Sequence, residues 1–281
     1  MQKNGWNGRY HFRQIFSVNS RKGQVTLFII IALLIVGILI FLLLWPTIKK
    51  GFVQEVSPEE YLKACTEQHV KEVVELVGKR GGSVNPGHAV SFQGEKIEYL
   101  CYTNEYYKTC VMQQPLLKQH VEYEIVNYVK PKVEECVQSL KGELEKRGYV
   151  VSSKRPDVSV SILPKNVHVD LKLGMSVTKD QTRSYDALRV SVKSPIYDLI
   201  MISGSILNYE AHYGDADPLA YMFYYPNLKV QKLKQEDGTK IYILQDRDSL
   251  QEFRFASRSL SWPAGYTGGV DTLALYPGRE G

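Results

Sequence analysis

Four cysteines, Cys65, Cys101, Cys110 and Cys136, are the side chains in this sequence with the clearest chemistry. An even number of cysteines is typical of proteins that fold in oxidising compartments, where thiols pair as disulfides. Cys101 and Cys110 flank a predicted hairpin and can face each other across its strands. Cys65 and Cys136 lie on apolar faces of two predicted helices, so a second disulfide would link those helices. We expect these two pairs, although the sequence leaves the connectivity open.

A metal site is an alternative use of the same cysteines. Cys65 and His69 are four residues apart, a spacing that places two ligands on one face of a helix. Neither a CxxC pair nor a second histidine-rich helix completes such a site. We therefore expect disulfides and neither a metal nor a cofactor, with a metal site and inert buried thiols as the alternatives.

Motifs that identify common enzymes are missing from the sequence. It contains no HExxH, GxSxG, GxGxxG or phosphate-binding loop motif. Asp215 and Asp217 stand two apart in the segment GDADP, as in some calcium loops, but the other ligands of an EF-hand are lacking. We predict a solvated turn at GDADP. The sequence thus predicts a protein that is not an enzyme.

Aromatic residues favour a role in binding. The chain has 19 tyrosines, and the short segment LAYMFYYPN contains Tyr221, Phe223, Tyr224 and Tyr225. Such side chains offer a large contact area and lose little conformational entropy on binding. Packing is the alternative, because tyrosine is common in strands and at the edges of small cores. These four residues are a possible binding surface, for envelope proteins or for copies of the same chain.

Two helices are predicted to carry Cys65 and Cys136. The first begins at Ser57, a helix-capping residue followed by a proline and a capping-box glutamate, and ends at Gly81-Gly82. The second runs from near Pro115 to Gly148, with a kink or interruption at Pro131. The predicted apolar stripe of the first helix is Leu62, Cys65, His69, Val73 and Leu76. That of the second is Val129, Val133, Cys136, Leu140 and Leu144.

The second half of the chain has the two-residue period of strands. The segment VHVDLKLGMSVTK alternates apolar and polar residues over about eleven positions, and LRVSVKS should pair beside it. The segments LKVQKLK and KIYILQD flank a turn at Gly238 and predict a hairpin, and QEFRFAS predicts a last strand. A helix is expected after Pro195, through Tyr213.

These elements predict an α+β fold with two regions. Residues 46–150 would form a disulfide-linked region of two helices and a hairpin, EKIEYLCYTNEYYKTCVM. Residues 151–261 would form a mainly antiparallel β region with one helix. Residues 262–281 are rich in glycine and proline, have no period, and are expected to be an irregular tail.

A long apolar run near the N-terminus predicts a membrane anchor. Val25 to Leu44 are twenty residues without a charge, and a helix of that length spans about 30 Å, the thickness of the hydrocarbon core of a bilayer. A secretory signal peptide has a shorter apolar core and a small-residue cleavage site, which is not found near Trp45. We therefore predict a transmembrane helix over residues 24–45.

The charge distribution predicts the orientation of this helix. The chain has 35 Lys and Arg and 30 Asp and Glu, a net charge of +5. Residues 1–45 hold five of the basic residues and no acidic one, so the rest of the chain carries 30 of each. By the positive-inside rule the N-terminus is cytoplasmic and residues 46–281 are extracytoplasmic. The balanced charge beyond residue 45 argues against nucleic-acid binding.

The residues before the apolar run resemble a processing signal. Lys22, Gly23 and Gln24 are similar to the class III signal peptide of archaeal type IV pilin-like proteins, which a dedicated peptidase cuts after the glycine. The resemblance implies cleavage between Gly23 and Gln24, with residues 1–23 as the leader; otherwise they are a basic cytoplasmic tail. The fifth position after the cut is often glutamate in that family and is Phe28 here, which disfavours assembly into a pilus.

Four further segments resemble a widespread family of single-span surface proteins of small-celled (DPANN) archaea. In chain order they are EEYLKACTEQHVKEVVELVGKRGG, PKVEECVQSLKGELEKRGYVV, DVSVSILPKNVHVDLKLGMSVTK and QDRDSLQEFRFASRSL. The resemblance covers most of the chain and implies the topology, with no activity to carry over.

Three functions remain as hypotheses from the sequence. The favoured one is a single-pass membrane protein of the cell surface whose ectodomain binds or has a structural role. The second is a pilin-like filament subunit processed at Gly23. The third is a surface enzyme, which the missing motifs disfavour.

Overall fold

A computed structural model describes residues 28–41 and 57–260 of the chain. The chain divides between residues 56 and 57 into two units. In the first unit, residues 28–41 form helix α1, whose side chains are exposed. Among the described residues, no helix combines the length and the apolar composition that crossing a membrane requires. The predicted span 24–45 extends past the described residues at both ends, and the predicted leader 1–23 and tail 262–281 lie outside them.

The second unit is an α+β fold, as predicted. Its helices are α2 (Pro58–Lys79), α3 (Leu117–Lys146), α4 (Ile196–Tyr213) and α5 (Pro218–Tyr224). The strands of the first half are β1 (Ala89–Phe92), β2 (Glu95–Tyr102), β3 (Val111–Met112), β4 (Val150–Ser153) and β5 (Asp157–Leu163). The remaining strands are β6 (Asn166–Thr178), β7 (Thr182–Lys193), β8 (Leu228–Lys234), β9 (Thr239–Asp246) and β10 (Glu252–Arg258).

The larger sheet has six strands, in the order β1-β2-β10-β9-β8, with β3 also paired to β2. The predicted hairpins β2/β3 and β8/β9 are both present as antiparallel pairs. The pairing of β2 with β10 is parallel, and the sequence did not predict this pair. Because β2 precedes residue 150 and β10 follows it, this pair joins the two predicted regions in one sheet.

The smaller sheet has four antiparallel strands around β6. Strand β7 pairs along one edge of β6, while β5 and β4 pair in succession along the other edge. Every second residue of β6 is buried, as the two-residue period predicted. The buried positions are Val167, Val169, Leu171, Leu173, Met175 and Val177.

Three helices pack between strands of the two sheets. Helix α2 contacts α3, β7 and β10, α3 contacts β4 and β5, and α4 contacts strands of the larger sheet. One continuous cluster of buried side chains contains residues of all three helices and of both sheets. Residues 57–260 therefore share one main core, and a second, smaller cluster of buried residues lies in the larger sheet at Ile97, Tyr99, Ile241, Ile243 and Ala256.

Details of α2 and α3 differ from the sequence-based expectation. The α2 cap is as predicted, since the Ser57 hydroxyl accepts a hydrogen bond from the Glu60 amide at 3.1 Å. The predicted α2 stripe is displaced, because the helix buries a wide face between α3 and the sheets, and His69 lies at its edge. The buried residues of α2 are Leu62, Thr66, Val70, Val73, Val74, Val77 and Gly78. In α3 the predicted stripe is buried, and the helix continues through Pro131.

Candidate functional site

Helix α5 is a short helix held at the surface by its first residues. Gly214, at the left-handed φ of 82°, ends α4 and redirects the chain. Asp217 then caps α5, because its Oδ1 atom accepts a hydrogen bond from the Leu219 amide at 2.9 Å, and Pro218 follows the cap. None of the seven residues of α5 is buried. Leu219, Phe223 and Tyr224 are exposed to solvent, whereas Tyr221 and Met222 pack partly against the core.

Three of the four aromatic residues predicted as a binding surface are exposed. Phe223 is 82 % exposed and Tyr224 is 75 % exposed, and their rings lie 5.5 Å apart in an edge-to-face contact. Tyr225, the residue after α5, is 49 % exposed. Tyr221 is half-buried, and its hydroxyl lies 3.1 Å from the Ser205 hydroxyl of α4. Burial raises the pKa of Tyr221, which keeps the phenol neutral.

Helix α4 adds two tyrosines that sequence reasoning did not assign to the site. Tyr209 and Tyr213 are exposed, and their ring centroids are 5.0 Å apart. Their spacing of four residues, which places both rings on one side of the helix, is the signal that could have identified them. We define the aromatic surface as Tyr209, Tyr213, Tyr221, Phe223, Tyr224 and Tyr225.

A cleft adjoins the aromatic surface. It has a volume of about 760 Å³, and Tyr225 and Met201 both contribute to its lining. Its other walls include polar side chains such as Asp248, in the turn after β9, and Lys193, the last residue of β7. The arrangement of an aromatic platform beside a polar cleft suits binding to a surface that is itself amphipathic.

Both predicted disulfides are present, and none of the four cysteines is free. Cys65 and Cys136 join α2 to α3, with their Cα atoms 6.3 Å apart. Cys101 and Cys110 join β2 to the residue before β3, with their Cα atoms 5.3 Å apart, and both are buried.

The alternative metal ligands also lie together. The ligand atoms of Cys65, His69 and Cys136 are within 4.8 Å of one another. The two sulfur atoms are bonded to each other, so neither is a thiolate, the form in which cysteine binds a metal. The imidazole of His69 lies 3.4 Å from the Glu72 carboxylate. This geometry favours the disulfide over the metal site.

The GDADP segment is not the solvated turn expected from the sequence. The Asp215 carboxylate contacts three ammonium groups, Lys232 at 3.0 Å, Lys234 at 3.3 Å and Lys240 at 3.4 Å. Burial alone would raise the pKa of Asp215, but the hydrogen bond from Lys232 and the nearby lysine charges lower it. Strands β8 and β9 bring three lysines to the end of α4. Their ammonium groups, rather than a calcium ion, therefore balance the charge of the Asp215 carboxylate.

A buried polar network lies beside Asp215 and was missed in the sequence. Glu210 of α4 has no exposed surface, and its carboxylate contacts Lys240 and Tyr242 of β9 and Ser257 of β10. Burial and the Glu210 carboxylate raise the pKa of Tyr242. Glu210 continues the buried stripe of α4, and this position in the helical period could have indicated from the sequence that Glu210 is buried. Its partners come from strands that follow in the chain, and only the folded sheet brings them near.

A second polar cluster surrounds Ser83 in the loop after α2. The Ser83 hydroxyl donates to Glu98 and lies 2.8 Å from Nε2 of His120. A serine hydrolase triad places the carboxylate on the second nitrogen of the histidine, whereas Glu98 contacts the serine. Glu124 accepts a hydrogen bond from the Val84 amide at 2.8 Å, so the cluster fixes the loop to α3.

Comparison with known proteins gives no similar chain. No protein-family model matches this sequence, and neither a curated protein nor a solved structure is similar to it.

Proposed function

We propose that this chain is a single-pass membrane-anchored protein of the cell surface that binds a neighbouring envelope protein through its aromatic surface. The observation that carries the proposal is α5, on which Phe223 and Tyr224 are almost fully exposed. Exposed clusters of large aromatic side chains are unfavourable in water and are typical of contact sites. The aromatic surface supports binding rather than catalysis, because it presents no nucleophile paired with a base.

The apolar N-terminal run supports the anchor. In α1 the exposed residues are almost all aliphatic or aromatic, including Phe28, Leu33 and Phe41. A helix with apolar residues on every side is stable in lipid and not in water. The basic, acid-free residues before it support a cytoplasmic N-terminus.

The disulfides support an extracytoplasmic position for residues 46–281. All four cysteines are paired, and disulfides persist outside the cytoplasm, where thiols are not kept reduced. A protease added to intact cells tests this orientation. We expect it to remove residues 57–260 while the N-terminal tail stays protected. Digestion only after the cells are lysed would contradict the proposal.

The binding role is tested by photo-crosslinking in native membranes. A photoreactive amino acid at position 224 should form a discrete crosslinked product with an envelope protein. The matched control is position 123, because Tyr123 of α3 is 63 % exposed and lies outside the aromatic surface. Equal crosslinking at both positions, or none at position 224, would contradict a binding role for α5.

A pilin-like filament subunit is the second candidate, and the residues Lys22-Gly23-Gln24 favour it. Mass spectrometry of the mature N-terminus tests processing: a chain that begins at Gln24 supports it, and one that begins at Met1 or Gln2 excludes it. Shearing cells without detergent then separates the two functions. A filament subunit is released by shear, whereas a lone anchor stays with the membrane.

A further inference from the structure

The contact between Glu210 and Lys240 places an amine against a carboxyl group inside the core. Lys240 Nζ lies 2.5 Å from Glu210 Oε2, and the side chains are 6 % and 0 % exposed. Keeping both groups charged there is unfavourable because each has lost its hydration. Transfer of one proton across this contact gives an amine and a carboxylic acid, which carry no charge. These two neutral groups are the reactants of amide formation.

The surroundings of Glu210 polarise its carboxyl group in one direction. The Tyr242 hydroxyl donates to Oε1 at 2.5 Å, and the Ala216 amide donates to the same atom at 3.1 Å. Two donors on one oxygen form the arrangement that stabilises the oxyanion of an acyl-transfer reaction. The other oxygen, Oε2, contacts Lys240 and accepts from the Ser257 hydroxyl at 2.9 Å. In an acyl-transfer reaction, Oε1 would thus carry the negative charge of the intermediate, and Oε2 would be the oxygen that leaves as water.

We propose that Lys240 and Glu210 form an intramolecular isopeptide bond between helix α4 and strand β9. The neutral Nζ attacks Cδ of the protonated Glu210 carboxyl group, the Nζ–Cδ bond forms, and the carbonyl electron pair moves onto Oε1. Loss of a proton from nitrogen and its delivery to the hydroxyl at Oε2 release one water molecule. The carbonyl re-forms, and the product is a neutral amide. No oxidant, reductant or activated co-reactant is needed.

Asp215 is positioned to carry the proton in this reaction. Its Oδ1 atom lies 3.4 Å from Lys240 Nζ, and Lys232 holds the same carboxylate at 3.0 Å. The neighbouring lysines lower the pKa of Asp215, which keeps the carboxylate ionised as a hydrogen-bond acceptor for the proton that leaves Nζ. The Gly214 carbonyl also accepts from Lys240, which fixes the direction of the amine. Asp215 is regenerated when the proton passes to the leaving oxygen.

The bond would add a crosslink of a different kind from the two disulfides. It would connect the last turns of α4 to strand β9 of the larger sheet, 30 residues further along the chain. An amide is unaffected by thiols, so this link would survive conditions that open Cys65–Cys136. Such a crosslink suits a domain that is exposed outside the cell.

Mass spectrometry of the full chain in detergent, with its disulfides reduced and alkylated, tests the proposal. We expect the protein to be lighter, by one water molecule, than the mass calculated for its mature sequence with four alkylated cysteines. Proteolysis should yield one branched product that joins the peptide with Glu210 to the peptide with Lys240, and no cleavage after Lys240. A full-mass chain that is cleaved after Lys240 would overturn the proposal and identify the contact as an ion pair.

Three variants assign the chemistry. Lys240→Arg should abolish the water loss, whereas Lys229→Arg, at an exposed lysine of the neighbouring strand β8, should keep it. Tyr242→Phe keeps both reacting groups and removes one donor to Oε1. We expect it to slow the appearance of the branched product by about a hundredfold, the usual effect of losing one oxyanion donor. Water loss that persists in Lys240→Arg would contradict the assignment.

Discussion

At the residue scale, burial decides how Glu98 responds to pH. Its carboxyl group is half-buried beside Ser83. Burial raises the pKa of Glu98, the negative charge of Glu124 adds to the rise, and the Ser83 hydrogen bond partly opposes it. The folded protein therefore binds this proton more tightly than the unfolded chain does. The stabilisation from this group is complete below the unfolded pKa and is lost as pH rises through the folded pKa.

This pH dependence gives the first prediction. Glu98→Gln keeps an acceptor for the Ser83 hydroxyl and removes the charge, so it should raise the free energy of unfolding at pH 7 relative to the native protein. The gain should shrink as pH falls towards the unfolded pKa of 4.5. Urea titrations at several pH values measure it. The control is Glu75→Gln, an exposed residue of α2, for which a difference within about 0.5 kcal/mol is expected at every pH.

At the scale of elements, the packing of α2 on β10 depends on a glycine. A Cβ atom added at Gly78 would overlap the backbone carbonyl oxygen of Glu252, the first residue of β10. Gly142, in α3, has no atom within 4 Å of the same hypothetical Cβ. The same substitution therefore meets a rigid backbone in one helix and open space in the other.

The two glycines should respond with opposite signs. Gly78→Ala must separate α2 from β10 and should lower the free energy of unfolding by about 1 to 3 kcal/mol. Gly142→Ala should raise it by about 0.5 to 1 kcal/mol, because alanine favours the helix. Denaturant titration of both variants measures these changes. Equal effects would show that the close approach of α2 to β10 is wrong.

The disulfides differ in the length of chain that they close. Cys65 and Cys136 are separated by 71 residues, and Cys101 and Cys110 by 9. In the chain-entropy model, loops of these lengths correspond to about 4 and about 3 kcal/mol of stabilisation. Replacing each pair by alanine should therefore destabilise the protein more at the α2–α3 link, as measured by the unfolding midpoint in urea. A larger effect at Cys101–Cys110 would show that its buried packing outweighs loop entropy.

At the scale of the molecule, the main core of residues 57–260 is shared by both sheets. Strand β10 illustrates this, because it pairs with β2 from the first half of the chain and with β9 from the second. Helix α2 contacts both β10 and β7. Neither half of the chain buries its apolar residues without the other.

A shared core predicts one unfolding transition. Far-UV circular dichroism and tyrosine fluorescence should give the same midpoint in a denaturant titration of the full chain with its disulfides intact. Two separate midpoints would indicate that the regions before and after residue 150 unfold independently.

Much of this fold could be predicted from local sequence patterns. The cap at Ser57, the apolar stripe of α3, the alternation in β6 and the hairpin at Gly238 all depend on residues close together in the chain, so period and turn chemistry predicted them. The two disulfides were expected from the helix faces and from the hairpin, although the sequence left their connectivity open. Part of the aromatic surface could also be predicted, because Phe223, Tyr224 and Tyr225 are adjacent in sequence.

Contacts between segments that are distant in the chain could not be predicted from local patterns. The parallel pairing of β2 with β10 joins residues more than 150 positions apart, and local periodicity carries no information about such a pair. The lysines around Asp215 and the partners of Glu210 come from β8, β9 and β10, and the order of these strands is set by burial of the whole sheet. The helices, the strands and their apolar faces are encoded locally, because they depend on residues that are neighbours in the chain. The buried polar chemistry depends on how those faces meet.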